Sequence, residues 1–289
     1  MRRDAPARAH MRAAGTTGRL ARKGARYLLL TGAAIIVAFP IYITIVNALL
    51  TPQQIAARPP TLFPLHPLWG SFSQAFGQAH LGIYLRNSAI MTVAITAAQL
   101  LTSVMAGYAF AFVRFPFRRA VFILCLATMM VPAEATIVPN RQTIVSFGWF
   151  NTFAALIVPF VASGIGTFLF RQAFLGVPRE LRDAATLDGY GHLRFLVRIV
   201  LPLNRPMLAA FGIYSFLGAW NQYLWPLIVT DTTSTRTVQI GLKQLSALNV
   251  DQSNVIFAGT LLAALPIFVL LFAFQKQLVR GLTAGALKG

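Results

Sequence analysis

Residues 178–206 form a charged island between two long apolar segments, with three of the seven acidic and five of the 25 basic residues of the chain. Pro178 suits the start of a helix, Glu180 falls in its first turn, and Gly189 suits a left-handed helix end. A second helix follows, since apolar residues recur with helical spacing until Pro202 interrupts them: Leu193, Leu196, Val197, Val200 and Leu201. The pattern predicts a folded helix-turn-helix with a charged surface, which carries Arg179, Arg182, Arg194 and Arg198.

A second cluster combines amides with aromatic rings inside an apolar segment. Its members are Trp220, Asn221, Gln222, Tyr223 and Trp225. Rings stack on the C–H faces of a polyol while amides hydrogen-bond its hydroxyl groups, so the cluster is a candidate contact for a sugar or polyol. Tyr and Trp also form the ordinary belt at a membrane interface, and amides also join helices to each other. Both interpretations stay open.

Several kinds of chemistry lack the residues that they need. No Gly-x-x-x-x-Gly-Lys-Ser/Thr loop occurs, so we expect this chain to bind no ATP and no other cofactor by itself. The single cysteine, Cys125, lies in an apolar segment and the four histidines are scattered, so we predict no metal site. No nucleophile lies near a candidate base in the apolar segments, so we expect a protein that is not an enzyme.

The composition is that of an integral membrane protein. Of the 289 residues 56% are apolar and 11% are charged, well below the charge content of soluble domains. The net charge of +18 would suggest nucleic acid as the partner of a soluble protein. In a membrane protein the excess of Lys and Arg on cytoplasmic segments explains it, so we predict contact with lipid and none with nucleic acid.

Six apolar segments are long enough to span a bilayer or nearly so, given the roughly 20 residues required. They are residues 27–50, 88–113, 120–139, 153–170, 207–229 and 255–274. In the second, Ser103, Gly107 and Ala111 form a stripe of small residues that favours close helix contact.

The charges outside these segments predict the orientation. With the N-terminus inside, inner segments carry twenty of the 25 Lys and Arg residues and outer segments carry five. The positive-inside rule therefore places both termini and residues 178–206 in the cytoplasm. Residues 1–26 are predicted to be a disordered basic tail, and residues 27–289 to be one transmembrane domain.

The spacing within residues 178–206 resembles the "EAA" loop of bacterial ABC importer permeases. That pattern is Glu-Ala-Ala, three residues, Gly, nine residues, Ile, one residue and Leu-Pro. The positions that match it here, with aspartate in place of glutamate, are Asp183, Ala184, Ala185, Gly189, Ile199, Leu201 and Pro202. The resemblance implies the all-α type I permease fold, with six transmembrane helices and a cytoplasmic coupling loop. It also implies that these residues, with Glu180, dock on an ATPase subunit.

The same resemblance implies a set of partners. They are a homologous second permease subunit in a heterodimer, two copies of an ABC ATPase that bind ATP and Mg, and an extracytoplasmic substrate-binding protein, at the bacterial inner membrane. A secondary carrier or channel without an ATPase is the alternative of another class. Almost no ionisable group lies inside the apolar segments, which disfavours a proton-coupled carrier.

The branch of the family indicates the substrate. Residues 167–172 and 220–226 resemble the glycerol-3-phosphate permease branch of the carbohydrate-uptake class, as do residues 131–134. This favours glycerol-3-phosphate or a glycerophosphodiester. A phosphate monoester carries about −1.5 to −2 charges, however, and the apolar segments contain no interior Lys or Arg to meet them. A di-, oligo- or amino-sugar is therefore the alternative substrate.

Overall fold

The structure is a computed structural model that describes the backbone of residues 7–286 and the side chains of residues 23–275 except Ala79 and Ala133. Within that part of the chain all regular secondary structure is helical and there is no strand, which confirms the predicted all-α membrane fold. The helices are α1 (Ala7–Leu49), α2 (Pro52–Ile55), α3 (Gly70–Gly77), α4 (Leu81–Phe112), α5 (Arg118–Ala127), α6 (Ala133–Ser146), α7 (Phe153–Ile157), α8 (Gly164–Leu175), α9 (Arg179–Leu187), α10 (His192–Phe195), α11 (Leu201–Leu203), α12 (Arg205–Trp220), α13 (Leu224–Val229), α14 (Val238–Leu248) and α15 (Ser253–Ala286).

Three described helical stretches are long and apolar enough to cross a membrane as single helices. They are Lys23–Leu49, Leu81–Phe112 and Ser253–Gln275, in agreement with the first, second and sixth predicted segments. Three bent helix pairs bring the number of candidate spans to as many as six. They are Arg118–Met130 with Glu134–Ser146, Phe153–Phe160 with Gly164–Leu175, and His192–Leu203 with Arg205–Trp220.

Three predicted spans differ from a single straight helix. Residues 153–170 bend by 42° between Phe153–Phe160 and Gly164–Leu175. Residues 120–139 bend by 101° before α6, where Pro132 has no N–H to continue the helical ladder. Residues 207–229 break between α12 and α13. Pro226 lies in the first turn of α13 and cannot donate to a preceding carbonyl, which favours a helix start rather than a continuous helix there.

The basic N-terminal segment also differs from its prediction. We predicted disorder over residues 1–26, but α1 begins at Ala7 and runs without a break into the membrane segment. Residues 1–6 lie outside the described part of the chain. The segment contains many Ala and Arg residues, which have high helix propensity, and an adjoining membrane helix removes the cost of nucleation.

Helix α4 lies at the centre of the fold and contacts α8, α12 and α14. Its predicted small-residue stripe is confirmed at the crossing with α8. A Cβ atom on Gly107 would lie 2.7 Å from the Cβ of Phe170, and a Cβ on Gly166 would overlap Ser103. The two helices therefore approach closely enough that no side chain fits between them at these points.

Buried polar side chains of α4 fix the connection between α13 and α14. Asn87 donates from Nδ2 to the backbone carbonyls of Ser234 and Arg236, at 2.9 Å each. The Ser88 hydroxyl accepts from the Val238 N–H at 2.8 Å. Both α4 side chains are fully buried, so these bonds satisfy polar groups that would otherwise be costly inside the fold.

Candidate functional site

Residues 178–206 form the predicted helix-turn-helix, which we call the coupling hairpin. Its first helix, α9, ends in a Schellman motif. The Tyr190 N–H donates to the Ala185 carbonyl at 2.8 Å, and the Gly189 N–H donates to the Thr186 carbonyl at 3.1 Å. Gly189 has φ +72°, which confirms the predicted left-handed helix end. Only glycine adopts this conformation without a steric penalty.

The coupling hairpin is anchored on the end of α4 that precedes Val113. The Tyr108 hydroxyl lies 2.9 Å from Nδ1 of His192 and shares a hydrogen bond with it. The ring of Phe195 packs edge-on against Phe112, with the ring centroids 5.5 Å apart. Together with buried Ala185, these contacts make the hairpin part of a hydrophobic core that includes α4, α8 and α12. It is therefore a folded element packed on the spans, and it differs from a loose connector.

Only part of the apolar stripe predicted for the second hairpin helix is buried. Of the predicted apolar stripe, Leu193 and Val197 are exposed, while Leu196 and Val200 are buried and Leu201 is partly buried. The buried pair includes both ends of a π-helical turn, Leu196–Val200, in which the Leu201 N–H donates to the Leu196 carbonyl. Pro202 has no N–H for the carbonyl four residues earlier, and a wider turn makes room for its ring.

The tip of the coupling hairpin exposes both apolar and charged side chains. Glu180, Asp183 and Ala184 are exposed, and their docking role stays a prediction. Leu187 is 89% exposed and Leu193 is 75% exposed. The sequence pattern did not single out Leu187, although its position just before the glycine turn was a usable signal.

One predicted docking residue is corrected by this geometry. We expected Ala184 and Ala185 together to face a partner, but Ala185 is 3% exposed and packs in the core of this chain. Ile199 and Leu201 are partly buried and pack against the same core, while Pro202 is exposed. The motif residues therefore divide into a group that holds the hairpin and a group that presents a surface.

The arginines of the coupling hairpin are similarly divided. The Arg182 guanidinium lies over the ring of Phe112 at 5.7 Å, and that of Arg194 lies over the ring of Tyr190 at 5.0 Å. Arg179 and Arg198 are exposed. The first two arginines brace the hairpin against its own aromatic residues, which leaves Arg179 and Arg198 as the freer cations for a partner.

A cavity of about 530 Å³ lies between α4, α8 and the end of α12, and we call it the central cavity. Its polar lining consists of Gln99, Ser163, Tyr214, Ser215, Asn221 and Gln222. The Ser215 hydroxyl donates to Oε1 of Gln99 at 2.8 Å, while Nε2 of Gln99 donates to the Phe160 carbonyl at 2.9 Å. Amides and hydroxyls with no charged group line the cavity, a surface suited to the hydroxyl groups of a polyol.

The predicted amide and aromatic cluster divides between this cavity and the protein core. Asn221 and Gln222 line the cavity, and Oε1 of Gln222 accepts no hydrogen bond from the described residues. Tyr223 is 37% exposed but does not line the cavity. Its role in a substrate pathway stays a prediction, as do those of Asn221 and Gln222.

The two tryptophans of the cluster need a correction. Trp220 is 2% exposed, and its indole N–H donates to the Ala263 carbonyl at 3.1 Å. Trp225 is 7% exposed and donates to the Ala155 carbonyl at 2.9 Å. Each indole therefore joins helices inside this chain, and neither ring lies in the wall of the central cavity. Sequence alone could not separate this packing role from substrate contact.

Nothing in the described part of the chain gathers ligands for a metal ion. No three His, Cys, Asp or Glu side chains come together there as metal ligands would. Cys125 is a free thiol. The features that remain are a membrane bundle, a docked helical hairpin with an exposed tip, and an uncharged polar cavity, which together are typical of a transport permease.

Residues 99–284 match the family model described as "Binding-protein-dependent transport system inner membrane component". The chain belongs to this family. It is accordingly an inner-membrane transport subunit of the ABC importer class and not an enzyme.

Relatives cover nearly the whole length. The sn-glycerol-3-phosphate transport system permease protein UgpE of Yersinia pestis bv. Antiqua is 34% identical over 264 residues, which are 89% of this chain and 94% of that protein. UgpE of Agrobacterium fabrum is 36% identical over 265 residues, and UgpE of Brucella abortus is 37% identical over 266 residues, with the same coverage of both chains.

Solved structures support the fold. A chain of a bacterial ABC transporter involved in the import of the acidic polysaccharide alginate matches with a TM-score of 0.78. The match is 19% identical and covers 90% of this chain and 97% of that chain. A chain from a bacterial alginate ABC transporter in complex with an alginate pentasaccharide-bound periplasmic protein matches with a TM-score of 0.61, 13% identity, and coverage of 89% and 95%. This confirms the predicted ABC importer permease fold.

Proposed function

We propose that this chain is one of two different permease subunits of an importer that takes up sn-glycerol-3-phosphate or a glycerophosphodiester. Two copies of an ABC ATPase, which hold ATP and Mg, drive it from the cytoplasm, and an extracytoplasmic binding protein delivers the substrate. Both termini lie in the cytoplasm. The observation that carries the substrate assignment is 34–37% identity to UgpE permeases over 89% of the chain.

The coupling hairpin supports the ATPase assignment. Its tip offers exposed Leu187 and Leu193 beside the carboxylates of Glu180 and Asp183, a mixture of apolar anchors and charges that suits a protein interface. The rest of the hairpin is packed on α4, so a displacement of the tip is transmitted to the spans. Closure of the ATPases on ATP would draw the hairpin inward and open the pathway outward, and hydrolysis would reverse this rigid-body change.

The central cavity limits how this chain binds its substrate. Its lining is uncharged, so it suits the glycerol hydroxyls better than the phosphate. A phosphate in this pathway therefore needs its charge met by the second permease, with help from the positive end of the α8 dipole at Ser163. A zwitterionic glycerophosphodiester has less net charge to compensate.

The uncharged cavity also favours a second substrate class, a neutral di- or oligosaccharide or an amino sugar. Uptake by intact cells separates the two classes. We expect deletion of this chain to abolish saturable, binding-protein-dependent uptake of radiolabelled sn-glycerol-3-phosphate or sn-glycero-3-phosphocholine, and re-expression to restore it.

The matched control for that experiment is uptake of radiolabelled maltose and glucosamine by the same strains. Unchanged phosphate-ester uptake, together with loss of uptake of one of the sugars, would assign the sugar instead. Retention of either uptake after removal of the ATPase gene would favour a secondary carrier.

A further inference from the structure

A second large groove lies on the opposite side of α12 from the central cavity. It has a volume of about 490 Å³ and is lined by α4, α12 and α15. Leu208, Gly212 and Phe216 form its α12 wall, whereas Tyr214, Leu217 and Gly218 of the same helix line the central cavity. Because the two sets lie on opposite faces of one helix, the groove points away from the pathway that we assign to the central cavity.

The groove is apolar along its length and carries one cation at one end. Arg205 is the first residue of α12 and lines the groove. Its side chain is exposed and makes no hydrogen bond or ion pair with the described residues. Leu270 and Phe274 of α15 complete the apolar wall. An apolar groove with an unpaired guanidinium at one end matches an anionic lipid, because the acyl chain is apolar and the phosphate is negatively charged.

The length of the groove suits an acyl chain. The α12 residues that line it, from Arg205 to Phe216, extend over about 16 Å along the helix axis. An acyl chain in the groove would contact apolar side chains of α4, α12 and α15 over that length, with the Arg205 guanidinium at one end for its phosphate.

We propose that this groove binds an anionic phospholipid of the cytoplasmic leaflet, with an acyl chain between α12 and α15 and the phosphate on Arg205. The leaflet follows from the orientation in the proposed function, on which this inference rests. Arg205 follows the 83° bend that separates the second hairpin helix from α12. A lipid bound to Arg205 therefore contacts the bend between the coupling hairpin and α12, through which a displacement of the hairpin reaches the spans.

Lipid titration of the purified permease–ATPase complex, read by native mass spectrometry, tests the proposal. Wild type is expected to bind phosphatidylglycerol more tightly than phosphatidylcholine of the same chains. Arg205→Gln is expected to weaken phosphatidylglycerol binding about fivefold, with phosphatidylcholine binding unchanged. The matched control is Arg119→Gln, an exposed arginine that lies outside the groove on the inner side, and it is expected to bind as wild type does.

A second pair of variants tests the acyl chain. A Cβ on Gly212 meets only the Leu100 Cδ1 at 3.6 Å, so Gly212→Ala is expected to keep both lipids. Gly212→Leu places a branched side chain in the groove and is expected to lose both. Unchanged phosphatidylglycerol binding in Arg205→Gln, an equal loss in Arg119→Gln, or full binding by Gly212→Leu would overturn the proposal.

The same preparation separates failure of this inference from failure of the proposed function. Retention of the ATPase reports on the proposed function and does not depend on the lipid. A complex that retains its ATPase but shows no lipid preference contradicts the lipid site alone. A permease that shows the lipid preference without any ATPase supports the lipid site and contradicts the importer assignment.

Discussion

Replacement of Gly189 by valine is expected to stop transport while the protein remains inserted in the membrane. Nothing lies within 4 Å of a Cβ built at this position, so the penalty is conformational and not a clash. At φ +72° a residue with a side chain costs about 1–2 kcal/mol, and a β-branched one more. A cost of that size lowers the population of the correctly turned hairpin about 5–30-fold. Uptake assays and the amount of membrane-inserted protein measure the two effects.

The matched control is Gly191→Val, two residues further along the same turn. Gly191 has φ −75°, and a Cβ added to it would meet no atom within 4 Å, so valine adopts its conformation without strain. We expect this variant to transport. Normal uptake by Gly189→Val, or an equal loss in both variants, would mean that the left-handed turn is not what makes the hairpin work.

Replacement of Gly107 by alanine is expected to destabilise the helix bundle. The new Cβ would lie 2.7 Å from the Cβ of Phe170 and 2.9 Å from the backbone nitrogen of Arg171. Neither atom can move without displacing α8, so we expect a loss of about 1–3 kcal/mol of folding free energy. Unfolding of the detergent-solubilised protein in increasing dodecyl sulfate measures this loss.

Gly212→Ala is the control for that substitution, because it adds the same methyl group to another membrane helix. Its Cβ makes ordinary van der Waals contact, and alanine is the better helix former, so stability should be unchanged or slightly raised. Equal stability of Gly107→Ala and wild type would contradict the close approach of α4 and α8.

Local features of the hairpin could be predicted from the sequence, whereas the faces of its helices could not. The glycine turn depends on the conformational preference of one residue, Gly189, and the prediction is confirmed by its positive φ. Which of Ala184 and Ala185 is buried depends on where α4 lies, and the motif carries no information about that. The spacing likewise could not show that Leu196 and Val200 face the core while Leu193 and Val197 are exposed, because that depends on where α4, α8 and α12 lie.

The candidate substrate residues illustrate the same limit. Asn221 and Trp220 are adjacent in sequence, and both suit a polyol site by chemistry. In the fold, Asn221 lines the central cavity. Trp220 is buried against α15, where its indole N–H donates to the Ala263 carbonyl. Gln99 and Ser215, which meet across the cavity, lie 116 residues apart and belong to no local motif. Only the three-dimensional packing brings them together.

In the proposed function, the exposed tip of the coupling hairpin binds an ATPase that is a separate subunit. Cross-linking in intact cells is the decisive measurement, with single cysteines at Ala184 or Leu187 in a protein whose Cys125 is replaced by serine. We expect both exposed positions to capture the ATPase subunit, while Ala185→Cys, whose side chain is buried, captures nothing. Absence of the ATPase from the products of both exposed positions, in cells that still import the substrate, would contradict this role of the hairpin.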